Sequence, residues 1–196
     1  MKLLVATTNP GKLREIAGIL EGLPVELVSL DALPPIDEPE ETGATFAENA
    51  RLKALYYHRA TRLPSIADDS GLAIEALGGA PGVHSARWEG TDYAVKFRKI
   101  YELLDAKGAR GSPARFVCHV ALADEDRIVF EAEGVIEGRI ADEPRGDKGF
   151  GYDPIFYYPP LGRTTAELER DVKATVSHRG KAFGKLREYL KRQLAG

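Results

Sequence analysis

Between Phe116 and Glu133 the chain alternates twice with a period of two. Phe116, Cys118, Val120 and Leu122 are interleaved with Val117, His119 and Ala121. After Asp124-Glu125-Asp126, Ile128, Phe130 and Ala132 are interleaved with Val129, Glu131 and Glu133. Two such runs joined by a short polar turn predict an antiparallel hairpin. The first hundred residues have another rhythm. Lys2 to Ala6 is a short apolar run, Thr7-Thr8-Asn9-Pro10-Gly11-Lys12 follows, and Leu13, Ile16, Ala17 and Leu20 then recur at helical spacing. That order is strand, tight loop, helix. Pro24 to Ser29 reads as a second strand, residues 31–43 as a proline-rich acidic loop, and Phe46, Ala50, Ala54 and Tyr57 as a helix from about Thr45. Pro64 to Ala67 reads as a short buried strand ending at Asp68-Asp69-Ser70-Gly71. A turn-rich segment at Gly78 to Gly82, a helix on Tyr93, Phe97, Ile100 and Leu104, a glycine-rich loop over 144–154 and a C-terminal helix on Phe183, Leu186, Leu190 and Leu194 complete the chain. Helices alternating with strands, with a hairpin in the middle, predict an α/β fold on a mixed sheet. No repeat or linker divides it, so residues 1–196 are expected to form a single domain.

Charge and composition narrow the function. Lys+Arg 27 against Asp+Glu 30 gives −3, which supplies no basic field for nucleic acid. A local basic pocket for a small anion remains open. Cys118 is the single cysteine, which excludes an intramolecular disulfide and a multi-cysteine zinc cage and suits a reducing, cytoplasmic setting. No apolar stretch approaches the roughly 20 residues of a membrane span. None of the four histidines sits in a zinc spacing.

Several segments carry chemistry. In Thr7 to Lys12, Asn9 is a favoured N-cap and Pro10 suits the first helical position. Such a loop presents backbone N–H groups at a helix N-terminus, with Lys12 in the first turn. A cation there opposes the helix dipole, and a bound phosphate would offset that cost. The loop is not a Walker A motif, because Ala6 and Leu13 stand where that pattern needs Gly and Ser/Thr. Between Arg14 and Arg51 lie nine carboxylates and no cation, Glu40 and Glu41 among them just before the second helix; a solvated face is the plain alternative. On that helix Asn49 and Lys53 share a face at i, i+4. Asp68 and Asp69 are unlike core residues. Neighbours on a strand point to opposite faces, so the two cannot serve equally. One could hold a metal while the other supports it, and hard oxygen ligands with few histidines suit Mg²⁺. Phe150-Gly151-Tyr152-Asp153 offers an aromatic between glycines for a planar base; folding its own rings into the core is the alternative. Lys173 and Ser177-His178-Arg179 open the last helix, with Ser177 as its cap and His178 and Arg179 as donors at its positive end.

Together these segments resemble the inosine triphosphate pyrophosphatase (HAM1-like) family. The matching blocks are TTNPGKLREI at 7–16, EETGATFAENARLKA at 40–54, ADDSGLAIEALGGAPGVHSAR at 67–87, GFGYDPIF at 149–156 and SHRGKAF at 177–183. Thr8 departs from the family's usual glycine. The resemblance implies a two-lobed α/β fold with a long central mixed sheet, an active site in the cleft between lobes, and a homodimer. It implies Mg²⁺-dependent hydrolysis of noncanonical purine nucleoside triphosphates (ITP, dITP, XTP) to monophosphate and pyrophosphate. It implies substrate contacts from Thr7, Thr8, Asn9, Pro10, Gly11, Lys12, Lys53, Ser70, Phe150, Gly151, Tyr152, Asp153, Lys173, His178 and Arg179. Glu40 and Asp69 are the expected Mg²⁺ ligands, with Glu41 and Asp68 as alternatives, and Asp69 is the expected proton acceptor. Donors at the base would pair with the purine C6 carbonyl and leave adenine's amino group facing an unpaired donor. Two rival readings are a Maf-like nucleotide pyrophosphatase and a non-enzymatic nucleotide- or RNA-binding module. The SHR and FGYD segments disfavour the first, and the Asp68-Asp69 pair and net charge disfavour the second.

Overall fold

The computed structural model describes residues 1–195. Seven strands, β1 (Lys2–Val5), β2 (Glu26–Ser29), β3 (Ser65–Ile74), β4 (Pro113–Asp124), β5 (Arg127–Ile140), β6 (Phe156–Tyr158) and β7 (Arg163–Thr164), form one sheet in the order β2-β1-β3-β4-β5-β6-β7. β1 is parallel to β2 and β3, whereas β6 is antiparallel to β5 and β7, so the sheet is mixed. The α-helices are α1 (Pro10–Leu20), α2 (Phe46–Thr61), α3 (Tyr93–Ala106), α4 (Arg170–Val176) and α5 (His178–Leu194). None is long and apolar enough to cross a membrane.

Local chemistry sets the boundaries. The Asn9 side chain accepts from Gly11 N (2.8 Å) and Lys12 N (3.1 Å), and Pro10 opens α1. α2 begins with a capping box: Thr45 Oγ1 accepts from Glu48 N while Glu48 Oε2 accepts from Thr45 N. The β4–β5 turn puts Glu125 and Asp126 at φ 50° and 58°, the left-handed pair that matches hairpin twist. Asp126 N donates to His58 Nε2 at 3.1 Å, and His58 Nδ1 lies 2.8 Å from the Leu63 carbonyl, which fixes the tautomer.

Two compact units share the described chain: residues 1–69, 118–134 and 178–195 in one, 70–117 and 135–177 in the other. The boundaries fall inside β3, β4 and β5 and between α4 and α5. In the first unit the sheet buries both faces. Leu3, Val5, Ile66, Cys118, Val120 and Leu122 pack with Ile16 and Leu20 of α1 and with Phe183, Leu186 and Leu190 of α5. Leu4, Ala67, Ala121 and Ala123 pack with Ala50, Ala54 and Tyr57 of α2. The period-two reading of 116–122 thus describes a strand buried on both sides, with small residues facing α2. The second unit has its own core, in which Leu72, Ile74, Phe116, Ile136, Ile140 and Phe156 meet Ile100 and Leu104 of α3.

Three elements depart from the sequence expectation. β2 starts at Glu26 rather than Pro24, since proline cannot donate to the ladder. β3 does not stop at Ala67: Asp68 to Gly71 lie within a ten-residue strand. Lys173 belongs to α4, a separate seven-residue helix, and not to the start of α5.

Candidate active site

Strand alternation divides the adjacent acids of β3. Asp68 turns toward α1 and α5. Its Oδ2 lies 2.9 Å from Lys12 Nζ and 3.5 Å from Arg179 Nη2, and Arg179 Nη1 reaches Glu15 Oε2 of α1 at 2.7 Å. Asp68 and Arg179 are buried, at 3% and 2% exposure. Burial alone would raise the Asp68 pKa; Lys12, Arg179 and Lys53 reverse that and hold the carboxyl well below the usual range. Burial likewise opposes charge on Arg179, and Asp68 and Glu15 outweigh it, so the guanidinium stays charged. This pairing accounts for Lys12 in the first turn of a helix: its charge is answered by a carboxylate, not left against the dipole. The N–H groups of Gly11 and Lys12, expected to be available, are taken by Asn9, whose own N–H donates to Thr7 Oγ1 at 3.2 Å.

Asp69 faces α2. Asn49 Nδ2 donates to its Oδ2 at 3.0 Å, and Lys53 Nζ stands 3.7 Å from its Oδ1 and 2.9 Å from Glu41 Oε1. Burial pushes the Asp69 pKa up, more than Lys53 and Asn49 pull it down. Lys53 pays a desolvation penalty too, but Asp69, Asp68 and Glu41 raise its pKa. Two neighbouring acids therefore have opposite character: an anchor of lowered pKa at 68 and a more basic carboxylate at 69. Glu41 joins this cluster through Lys53, whereas Glu40 is exposed.

The second unit holds a separate cluster. Asp153 Oδ2 accepts from Phe150 N (2.8 Å) and lies 2.5 Å from Lys173 Nζ, while Oδ1 accepts from Thr165 Oγ1 (2.8 Å). Lys173 is buried and stands 5.2 Å from the centre of the half-buried Phe150 ring. Gly149, at φ 72°, leaves the space that the Asp153 carboxylate fills. Tyr152 is buried in the core, edge-on to Tyr93 at 5.1 Å, with its hydroxyl donating to the Ser85 carbonyl at 2.7 Å.

Comparisons with known proteins place these clusters in context. Residues 3–189 match the profile of the Ham1 family. The chain belongs to the Ham1 family. It is 49% identical to the dITP/XTP pyrophosphatase of Syntrophobacter fumaroxidans, covering 92% of this chain and 78% of that one. It is 47% identical to the dITP/XTP pyrophosphatase of an Exiguobacterium species, over 95% of each. Among solved structures, a HAM1 protein from Coxiella burnetii superposes with a TM-score of 0.87 at 41% identity, covering 98% of this chain and 99% of that one. The nucleoside-triphosphatase / dITP/XTP pyrophosphatase of Mycobacterium abscessus superposes at 0.75 with 44% identity, covering 95% and 98%.

Within this Ham1 fold, the first unit gathers Thr7, Asn9, Gly11, Lys12, Lys53, Asp68, Asp69 and Arg179 with Glu41, and the second gathers Phe150, Asp153 and Lys173. Thr8, Pro10 and Glu40 are exposed, Gly151 and Ser70 are intermediate, and His178 is buried at the start of α5. Sequence reasoning passed over Glu15 and Thr165. Glu15 stands one helical turn after Lys12, a spacing that could have drawn attention to it; Thr165 carried no signal. Among the described residues no three of His, Cys, Asp and Glu gather as a ready metal cage. What does gather suits a divalent ion completed by substrate oxygens. Glu41 and Asp69 converge on one ammonium, and Asp68 lies beside Asp69 in sequence, so hard oxygen donors are close together.

Proposed function

We propose that this protein hydrolyses deaminated purine nucleoside triphosphates (ITP, dITP and XTP) to the monophosphate and pyrophosphate, using Mg²⁺. The observation that carries the reading is the split of Asp68 from Asp69. One adjacent acid anchors Lys12 and Arg179 as cations for phosphate; the other is a buried carboxylate of raised pKa beside Lys53 and Glu41. The relatives' names give the same activity class.

Asp69, with Glu40 or its Lys53-paired neighbour Glu41, would hold Mg²⁺. Bound there, the ion would neutralise phosphate charge and acidify the attacking water. Asp69 then accepts a proton from water, a task for which a raised pKa suits it better than an ordinary carboxylate. Lys12 and Arg179 stabilise charge on the leaving pyrophosphate, and attack falls in line at the α-phosphorus. Phe150 and Lys173 offer a purine base a ring to stack on and a donor for its C6 carbonyl; Asp153, already bonded to Thr165, Phe150 N and Lys173, organises this pair. The family resemblance adds a homodimer, and the lone Cys118 a reducing, cytoplasmic setting.

The test is a panel of triphosphates with product identification, with and without EDTA. Fast, EDTA-sensitive release of pyrophosphate from ITP and XTP, with slow turnover of ATP and GTP, supports the reading. Equal turnover of all four common triphosphates, or orthophosphate as product, overturns it.

A further inference from the structure

Asn49 is buried at 2% exposure near the start of α2, a place where a polar side chain must find partners on both ends of its amide. It does. Its Oδ1 accepts the backbone N–H of Gly43 at 2.8 Å, and its Nδ2 donates to Asp69 Oδ2 at 3.0 Å. The two bonds fix the orientation of the amide. With the Gly43 donor on the oxygen side, only the nitrogen side faces the carboxylate, and a flipped amide would set oxygen against oxygen. Gly43 is shaped for this contact. A Cβ built there would stand 2.6 Å from Asn49 Oδ1 and 2.7 Å from Glu48 Cβ, closer than real atoms approach. The acidic loop before α2 therefore presses its backbone directly onto the side chain that grips Asp69.

We propose that Asn49, locked by the Gly43 N–H, is a positioning residue that holds Asp69 by Oδ2 and so sets the carboxylate's rotation, presenting Oδ1 on the Lys53 side for the reaction. This rests on the assignment of Asp69 above and extends it to a side chain that itself touches neither phosphate nor base. The Asp69 carboxylate has a broad two-fold torsion of its own, so one strong donor decides which oxygen faces where. A rotation that misplaces the reacting oxygen by about 1 Å is enough to cost on the order of a hundredfold in rate. Nucleotide affinity, supplied by other residues, should be spared.

The test uses the intact protein and two independent perturbations. Asn49→Asp keeps the size and the acceptor for Gly43 N–H but, as a carboxylate, has no N–H for Asp69 and repels it. Gly43→Ala leaves Asn49 chemically intact and displaces it. Both should lower kcat for ITP by at least about tenfold while leaving KM within about twofold. Calorimetric binding of α,β-methylene-ITP without Mg²⁺ should be unchanged in both, and the double variant should cost no more than the worse single one, since both break the same link. Asp69→Asn is run alongside. If Asp69→Asn keeps full turnover, the assignment of Asp69 fails and this inference with it. If Asp69→Asn is inactive but the folded Asn49→Asp variant turns over like the parent, or loses kcat and analogue binding together, the positioning role alone is overturned.

Discussion

Replacing Asp68 by Asn tests the anchor beneath the phosphate-binding cations. Asn has the same shape, so no cavity forms and the effect is electrostatic. Asp68 Oδ2 stands 2.9 Å from Lys12 Nζ and 3.5 Å from Arg179 Nη2 at 3% exposure. At an effective dielectric of about 20, the two contacts carry gross attractions of roughly 6 and 5 kcal/mol, much of it cancelled by desolvation of the carboxylate itself. Removing one partner of a buried pair leaves an uncompensated charge and costs about 3–5 kcal/mol. Arg179 retains Glu15, which puts the expectation near the low end, about 3 kcal/mol. At about 2–4 °C per kcal/mol for a chain of this size, the melting midpoint should fall by roughly 6–12 °C. The assay is urea unfolding followed by circular dichroism, with thermal melts in parallel. The pH dependence gives a second check. The folded pKa of Asp68 lies below its ordinary value of 3.8, so its stabilisation is complete above that value and fades as pH falls through the folded pKa. The gap between variant and parent should be constant from neutral pH down to the ordinary carboxyl value and narrow below it. A variant within about 1 kcal/mol of the parent at pH 7 would refute the anchor argument.

Further outcomes follow from the same contacts. Lys173→Met removes the donor that Asp153 and Phe150 hold in place; kcat/KM for ITP should fall by about a hundredfold while that for ATP changes little, narrowing the preference in a steady-state comparison of the two. Gly134→Ala puts a methyl group from β5 against the His178 carbonyl and the Ala182 N–H, so α5 must shift; urea unfolding should show a loss of about 1–3 kcal/mol. The Cys118 thiol is fully buried, and burial together with the nearby Asp68 charge pushes its pKa up; native protein should fail to react with a thiol reagent at pH 8, and protein unfolded in guanidinium should react at once.

The elements were largely legible in the sequence because their signals are local. Asn9 with Pro10, Thr45 with Glu48, and the Glu125-Asp126 turn each state a boundary within a few residues, and the double alternation of 116–132 states the hairpin. The site was legible as a set of residue types, and the rule that strand neighbours diverge anticipated the separation of Asp68 from Asp69. What was not legible is set by distant partners. Asp68 reads as turn-like because a buried aspartate in a strand is costly; it sits inside β3 because Lys12 and Arg179, remote in sequence, neutralise it. That Lys53 of α2 pairs with Glu41 is set by the packing of α2 against the preceding loop, which no local spacing states. Asp153 is tied to Thr165, Phe150 N and Lys173, and of these only Phe150 lies near it in sequence. Tyr152 looks like a stacking platform until its ring is found in the core beside Tyr93.

The most direct measurement is hydrolysis of ITP in ¹⁸O-labelled water with mass analysis of both products. If Asp69 delivers water to the α-phosphorus, all of the label appears in IMP and none in pyrophosphate. Label in the pyrophosphate would place the attack on the β-phosphorus and contradict the assignment of the acids and cations around β3.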